Sequence, residues 1–461
     1  MSLDELGSGE GRARSGEECW RVHVPGALVG ERLLARLAHV SVHADGGERE
    51  AWAELVSLLA PSPDRVAPDC AACGECGSCA LMALAYHAQL AWKRERVQAQ
   101  LVRYPVLAGI SAATCVPSPE TTHYRNQAKY VYGRDPTSGH LVLGAYAPRS
   151  HRLVDLEGCR VIEPQLEDAR LAMIEILAAR RVEPFDEQRR TGILRYVVMR
   201  ENAAGKVMVT LVAARRDWVE APAIASAIAA ACSAVAGVVL NVNPTGGNRI
   251  LGEEERSLWG LPYLEDRVGG VTVRLASRSF SQANRAVAAC IYRDIVAAGP
   301  AQIERAVDAY AGAAPIALSL ATVATEVVAI EENRAATAAA AAFIARLADA
   351  SSVVRVVTGD AARCLEDVHC ADFVVLDPPR KGCAKDVLAA IGHLRPQGLA
   401  YLSCDPATLA RDLAVLVAGG ARLLRVTPYD MLPHTPHVET LALLAYDAVA
   451  GEAGVLLREP R

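Results

Sequence analysis

Aromatic residues are scarce in this 461-residue chain, at 5% of positions with only four phenylalanines, and neither sign of charge dominates, the formal balance being −5. That balance excludes a chain that is basic throughout, while a local basic patch would still serve a polyanion. The first ten residues carry Asp4, Glu5 and Glu10 and no apolar run, so no secretory leader is expected there. Long hydrophobic runs are also missing. The longest uncharged stretch, residues 221–248, is Ala-rich and interrupted by Pro222, Ser226, Ser233 and Gly237. It predicts a helix followed by a buried strand rather than a membrane span. No internal repeat is visible. What is present is 52% hydrophobic residues, largely Ala and Val, and enough length for about three domains. This excludes a disordered chain, a collagen-like fibre and a small disulfide scaffold. Thirteen cysteines, several in C-x-x-C spacing, suit a reducing compartment and a metal site better than disulfides. The expectation is a soluble, cytoplasmic, multidomain protein.

Residues 1–18 are rich in Gly, Ser and charge and are expected to fray. Residues 19–59 hold short alternating runs, residues 20–24 and 33–42, broken by Pro25-Gly26 and Gly46-Gly47, which predicts a small β-barrel. A cysteine cluster and a helical stretch over residues 80–102 follow. Residues 86–152 carry nine Lys/Arg against three Asp/Glu. Strand-like runs at residues 129–132, 140–144, 193–200, 207–212 and 238–242 predict an α+β region. From residue 301, apolar strands at 306–310, 327–330, 353–357, 373–376 and 399–403 alternate with helical stretches at 315–324, 333–347, 385–394 and 408–417. That is the pattern of an α/β domain whose parallel sheet is covered on both faces. Such sheets bind ligands at the carboxyl ends of their strands.

Those strand ends are consistently acidic: Asp308, Glu331, Asp360, Asp377 and Asp405. One such residue ordinarily caps the next helix. Five in register favour a nucleoside-type cofactor, with Glu331, 23 residues after Asp308, placed to accept from ribose hydroxyls. Cys404 lies at a strand end before Pro406, where a helix N-terminus lowers a thiol's pKa, although the adjacent Asp405 acts the other way. Cys70, Cys73, Cys76 and Cys79 recur every three residues. Zinc and an iron–sulfur cluster both accept four thiolates, and the spacing does not choose between them. His434 and His437 have metal-like spacing without a third ligand nearby, so positional roles are expected of them.

Seven ordered stretches together resemble the RNA uridine-C5 methyltransferases of the TrmA/RumA type. Val24-Pro25-Gly26-Ala27-Leu28 with Gly30-Glu31 resembles their RNA-binding TRAM domain; Cys70, Cys76, Gly77 and Cys79 resemble their C-x5-C-G-x-C motif; and Tyr124-Arg125-Asn126 resembles Y-R-N. Phe280-Ser281-Gln282-Ala283-Asn284 resembles F-x-Q-x-N. The stretch from Asp377 to Arg380, then Ser403-Cys404-Asp405-Pro406 with Thr408-Leu409-Ala410-Arg411-Asp412, and Pro433-His434-Thr435 with His437-Val438-Glu439, resemble the three C-terminal signatures.

The resemblance implies an OB-like barrel over residues 1–66, a central α+β domain over 67–275, a Rossmann-like class I methyltransferase domain over 276–447 and a tail over 448–461. It implies that Gln282, Tyr310, Glu331 and Asp377 hold S-adenosylmethionine, and that Cys70, Cys76, Cys79 and the distant Cys159 ligate a [4Fe–4S] cluster, with Cys73 an extra thiol. It further implies a monomer that acts on structured RNA, with large-subunit ribosomal RNA ahead of tRNA and no membrane or protein partner. In that scheme the Cys404 thiolate adds to uracil C6 and Glu439 removes the C5 proton. The chain departs from the family's D-x-[YF]-C-G-x-G loop at Ala311 and Ala314, and a methyl group there would press on the methionine part of the cofactor. A catalytically degenerate RNA-binding protein and a cytosine-C5 methyltransferase are the alternatives.

Overall fold

The computed structural model describes residues 5–6, 10–15, 20–45, 48–247, 249–347 and 353–446. Gly46, Gly47 and the tail over 448–461 therefore lie outside the described residues. The chain opens with β1 (Glu5–Leu6), β2 (Glu10–Ser15), β3 (Trp20–Pro25), β4 (Arg32–Asp45) and β5 (Glu48–Ala60), in sheet order β1-β2-β3-β5-β4. Where fraying was expected, β2 pairs antiparallel with β3 over all six of its residues. The two long strands are continuous because four register shifts bend the β4–β5 ribbon around a small core of Val22, Val24, Leu33 and Ala51 instead of ending it. Glu31, fully buried, accepts from Leu28 N (2.8 Å), Ser62 N (3.2 Å) and Arg65 Nη2 (2.8 Å), which joins the β3–β4 turn to the exit of the sheet.

The middle of the chain contributes α1 (Tyr86–Leu101), β6 (Gln127–Arg134), β7 (Leu141–Tyr146), β8 (Leu153–Asp155), α2 (Pro164–Ala179), β9 (Leu194–Glu201), β10 (Val207–Ala213), α3 (Ala221–Ala231), β11 (Val235–Val242) and β12 (Glu254–Gly260). Its seven strands run in the order β12-β11-β10-β9-β6-β7-β8. The uncharged stretch resolves as expected into α3 and the buried β11, joined to β10 by the sheet's parallel pairing. Among the described residues no helix is long and apolar enough to cross a membrane. A hairpin follows, β13 (Tyr263–Val268) and β14 (Val271–Ala276), whose two-residue turn needs positive φ at both positions and has Gly269 (+58°) and Gly270 (+92°).

After α4 (Arg285–Ala298), strands and helices alternate: β15 (Ile303–Ala309), α5 (Pro315–Leu320), β16 (Ala324–Glu331), α6 (Arg334–Ile344), β17 (Val354–Thr358), α7 (Ala361–Glu366), β18 (Phe373–Leu376), α8 (Lys385–Leu394), β19 (Gly398–Ser403) and α9 (Pro406–Ala418). Two strands that periodicity did not predict complete the sheet, β20 (Arg422–Tyr429) and β21 (Glu439–Ala445). The order is β17-β16-β15-β18-β19-β21-β20. The expected parallel sheet holds for the first five strands, but β21 inserts antiparallel between β19 and β20. Strand order reverses between β15 and β18, which opens a crevice at their carboxyl ends.

Although α1 follows the cysteine cluster in sequence, its Val97 and Leu101 pack into the C-terminal core with Leu409, Leu413 and Val426. It also carries Lys93, whose ammonium is fully buried against the equally buried Asp430 carboxylate and donates to the Leu432 carbonyl (3.0 Å). Removing one member of such a pair leaves an uncompensated buried charge. Lys93→Met is therefore expected to destabilise the full chain by about 3–5 kcal/mol in urea unfolding, and the double variant Lys93→Met/Asp430→Leu to recover most of that loss.

Candidate active site

The crevice collects the acidic strand ends. Asp308 and Tyr310 lie at the end of β15, Glu331 ends β16, Asp377 follows β18 and Cys404 follows β19. Because β21 runs antiparallel, its first residue meets the end of β19, and the pairing of Ser403 with Thr440 sets Glu439 beside Cys404. Burial raises Asp308, Tyr310, Asp377, Cys404 and Glu439. The Cys404 thiol is pushed up to about 11 by burial and by Glu439 and Asp377, against the relief of the Arg380 guanidinium. Glu439 rises to about 8 through burial and Asp377, again eased by Arg380. Burial takes Asp377 to about 7 and, with Asp377 as neighbour, carries Asp308 well above the usual carboxylate range. The expected lowering of the thiol by a helix N-terminus is thus overturned. Asp405 caps α9 itself, accepting from Ala407 N and Thr408 N (both 2.9 Å), and the carboxylates that raise Cys404 come from other strands.

The cofactor-side residues are held by backbone contacts. Glu331 accepts from Gly312 N (3.0 Å) and Asn333 N (2.8 Å), which leaves a lone pair on each oxygen for a ligand hydroxyl. Asp308 Oδ2 accepts from Ala317 N (2.9 Å), while its Oδ1, buried, has no partner among the described residues. A buried, unpaired carboxylate oxygen in an acid-rich crevice suits a cationic ligand group. Ala314 adopts φ +62°, a left-handed conformation that costs alanine about 1–2 kcal/mol. Ala311 and Ala314 are buried in the core with Val287 and Ile291. Gln282 lines a narrow cleft with Ala313 and Pro315. Its carbonyl accepts from Asn126 Nδ2 (3.2 Å), Asn126 N donates to the Ala283 carbonyl (3.0 Å), and Asn284 donates to Ser118 Oγ (2.9 Å) while capping α4. Two distant motifs are thus zipped together.

Arg380, Cys383, Tyr401 and Asp412 join the site without having been singled out for it. Asp412, buried, accepts from Tyr401 OH (2.6 Å) and Cys383 N (2.8 Å), and Cys383 also shares a hydrogen bond with Tyr310. Thr408 Oγ1 donates to the Arg380 carbonyl (3.1 Å) and Arg411 Nη2 to that of Lys381 (2.9 Å). Thr408, Arg411 and Asp412 stand three and four residues apart on α9, the spacing of one helix face, and this was the signal in the sequence.

The segment leading to Glu439 is gripped from the middle of the chain. Leu81 N donates to the His434 carbonyl (2.9 Å), and Tyr124 OH donates to that of Pro433 (2.9 Å). Arg96 donates to the carbonyl of Pro436. Gln89 accepts from His434 N (2.9 Å) and meets its ring Nδ1 (3.1 Å). That contact occupies one ring nitrogen of His434.

Beside this grip, Cys70, Cys73, Cys76, Cys79 and Cys159 line one largely enclosed cavity of about 110 Å³, with Arg125 and Tyr130. All five are free thiols. Burial and the proximity of Cys159, Cys76 and Cys70 push Cys79 up to about 12, whereas Cys73 is raised by burial and by Cys70 and Cys76 alone. Gly77 (φ +69°) belongs to this turn, and a Cβ there would meet Pro148 Cγ at 2.3 Å. Among the described residues no group of three His, Cys, Asp or Glu side chains is placed to hold a single metal ion.

Asp377 and Glu439 have folded-state values near 7 and 8, above the unfolded carboxylate range of roughly 4. Their contribution to stability is complete at low pH and is lost as pH rises through those values. The melting temperature of the ligand-free protein should fall between about pH 4.5 and 8. Glu439→Gln should make that fall shallower, and an unchanged slope would contradict the placement of Glu439.

The comparisons with known proteins agree with this geometry. Residues 262–446 match the tRNA (uracil-5-)-methyltransferase family. An uncharacterized RNA methyltransferase of Geobacter sulfurreducens is 38% identical over 452 residues, covering 96% of this chain and 88% of that protein. Another, from Halalkalibacterium halodurans, is 32% identical over 92% of both chains. In fold, the chain is similar to the Pyrococcus abyssi tRNA (uracil-54, C5)-methyltransferase in complex with S-adenosyl-L-homocysteine, with a TM-score of 0.73 and 22% identity over 95% of this chain and 100% of that one. The chain belongs to the tRNA (uracil-5-)-methyltransferase family and is an RNA methyltransferase.

Proposed function

We propose that the protein uses S-adenosylmethionine to form 5-methyluridine in structured RNA, with large-subunit ribosomal RNA as the substrate favoured over tRNA. The observation that carries this reading is the juxtaposition of Cys404 and Glu439 at the adjoining ends of β19 and β21. The cofactor supplies an electrophilic methyl group on a sulfonium. Gln282, Tyr310, Glu331 and Asp377 hold it, and the unpaired Asp308 oxygen offers its cationic end a partner. A positive charge among these acids favours their ionised forms. The Cys404 thiol would give its proton to solvent and add as thiolate to uracil C6, putting carbanion character on C5; C5 would then take the methyl group, the methyl–sulfur bond breaking with its electron pair left on sulfur as the neutral thioether S-adenosylhomocysteine. Glu439 then takes the C5 proton, the C5–H electrons form the C5–C6 double bond, and the thiolate leaves. Arg380 stabilises both Cys404 and Glu439 in their charged forms.

The N-terminal sheet, open between β1 and β4, supports an OB-like RNA-binding role. The cysteine cavity would take a [4Fe–4S] cluster on Cys70, Cys76, Cys79 and Cys159. Support comes from the placement of the distant Cys159 in one cavity with the cysteine turn, and from thiolate chemistry, since soft thiolates suit such a cluster.

Anaerobically purified protein and unmodified cellular RNA should yield 5-methyluridine by mass spectrometry of nucleosides. Cys404→Ala should reduce the yield roughly 10³-fold or more. The size of the methylated RNA distinguishes ribosomal RNA from tRNA; 5-methylcytidine would instead favour the cytosine reading, and RNA binding without methylation a degenerate enzyme. The rate should rise with pH through about 8, the value for Glu439, and Arg380→Ala should displace that rise to higher pH. For the cluster, Cys159→Ala should remove most of the iron and the visible absorbance while Cys73→Ala leaves both. The reverse pattern would exchange their roles.

A further inference from the structure

We propose that the Tyr130 hydroxyl donates a hydrogen bond to a sulfur of the group bound in the cysteine cavity and thereby sets its reduction potential; this rests on the cluster reading above. Tyr130 and Tyr132 lie two residues apart on β6, on the same buried face. Tyr132 OH donates to the Val182 carbonyl (2.8 Å). Tyr130, 1% exposed, lines the cavity with Cys79 and Cys159, and its hydroxyl has no partner among the described residues. An unsatisfied buried hydroxyl is costly enough that a well-packed strand does not keep one without an acceptor.

The polar neighbours do not supply that acceptor. Glu167 is turned to Arg170 Nε (2.8 Å) and Nη2 (2.9 Å) and to Gly158 N (2.9 Å), and no hydrogen bond joins it to the Tyr130 hydroxyl. Arg170 and Arg125 are donors only. Sulfur remains: a thiolate such as Cys159, or a sulfide of the cluster. A hydrogen bond to a cluster sulfur withdraws electron density and makes the cluster easier to reduce. Phenylalanine at this position keeps the ring that packs in the core and deletes the donor.

The test compares wild type, Tyr130→Phe and Tyr132→Phe as full-length, anaerobically purified protein. Tyr130→Phe should keep the wild-type iron and sulfide content, show a more negative midpoint potential in an optical redox titration, and release iron to a chelator about fivefold faster. After the iron is stripped, Tyr130→Phe should melt no lower than wild type, because the hydroxyl it lacks has no protein partner. Tyr132→Phe should melt lower with and without iron and leave the potential unchanged. Wild-type protein without iron or visible absorbance would overturn the cluster reading and this proposal with it. Loaded Tyr130→Phe with an unchanged potential and release rate would overturn this proposal alone, as would an equal loss of stability in the loaded and stripped forms.

Discussion

The buried contact between Lys93 on α1 and Asp430 just after β20 bears on most of the rest of the structure. It joins two parts of the chain more than three hundred residues apart and seats the segment that turns from β20 into β21. A charged pair without solvent is tolerable only when its geometry is held from both sides. Here the Leu432 carbonyl takes another of the ammonium's hydrogens, and Tyr124, Gln89 and Arg96 hold Pro433, His434 and Pro436. Because α1 also packs into the C-terminal core through Val97 and Leu101, the cysteine turn and the crevice are parts of one mechanical unit. The path from Cys79 to Glu439 runs through Leu81 and His434.

What the grip achieves is electrostatic crowding. Glu439, Asp377, Asp308 and the Cys404 thiol share a poorly solvated space in which Arg380 is the cation that eases both Glu439 and Cys404. None of the four is comfortable charged in the empty crevice. On the proposed function, a cationic ligand would relieve all of them together, and its binding would favour the ionised forms of Cys404 and Glu439 through Coulomb's law. The loop from Gly312 to Pro315 leads from β15 into α5. Its alanines turn their methyl groups into the core, and the left-handed strain at Ala314 is offset by burying that methyl group.

The strands of the C-terminal sheet were legible where both faces are covered, because such strands read as continuous apolar runs. Residues 373–376 and 399–403 emerged with little change at their ends. β20 escaped periodicity because Arg422, Arg425 and Pro428 break its apolar run, and β21 because its run had no strand–helix alternation to mark it, being paired antiparallel with β20 and β19. At the N-terminus, bulged pairing turned what looked like short strands into long ones. Within the site, Cys404, Asp377 and Glu331 were visible as strand ends, whereas Asp412 was visible only as the end of a signature stretch, and its contacts with Tyr401 and Cys383 come from the fold.

Local chemistry in the sequence determined the residue types: a thiol before a helix, acids at successive strand ends, and four cysteines in a short turn with a glycine where Pro148 leaves no room for a Cβ. These are readable because spacing along one element translates directly into a face or an end. The tertiary structure decided which of them meet and what state they are in. Glu439 reaches Cys404 because β21 is antiparallel, Cys159 reaches the cysteine turn across eighty residues, and the thiol is raised rather than lowered by charges from neighbouring strands. Burial and long-range Coulomb interactions depend on distances between segments remote in sequence, and only the folded chain sets those distances.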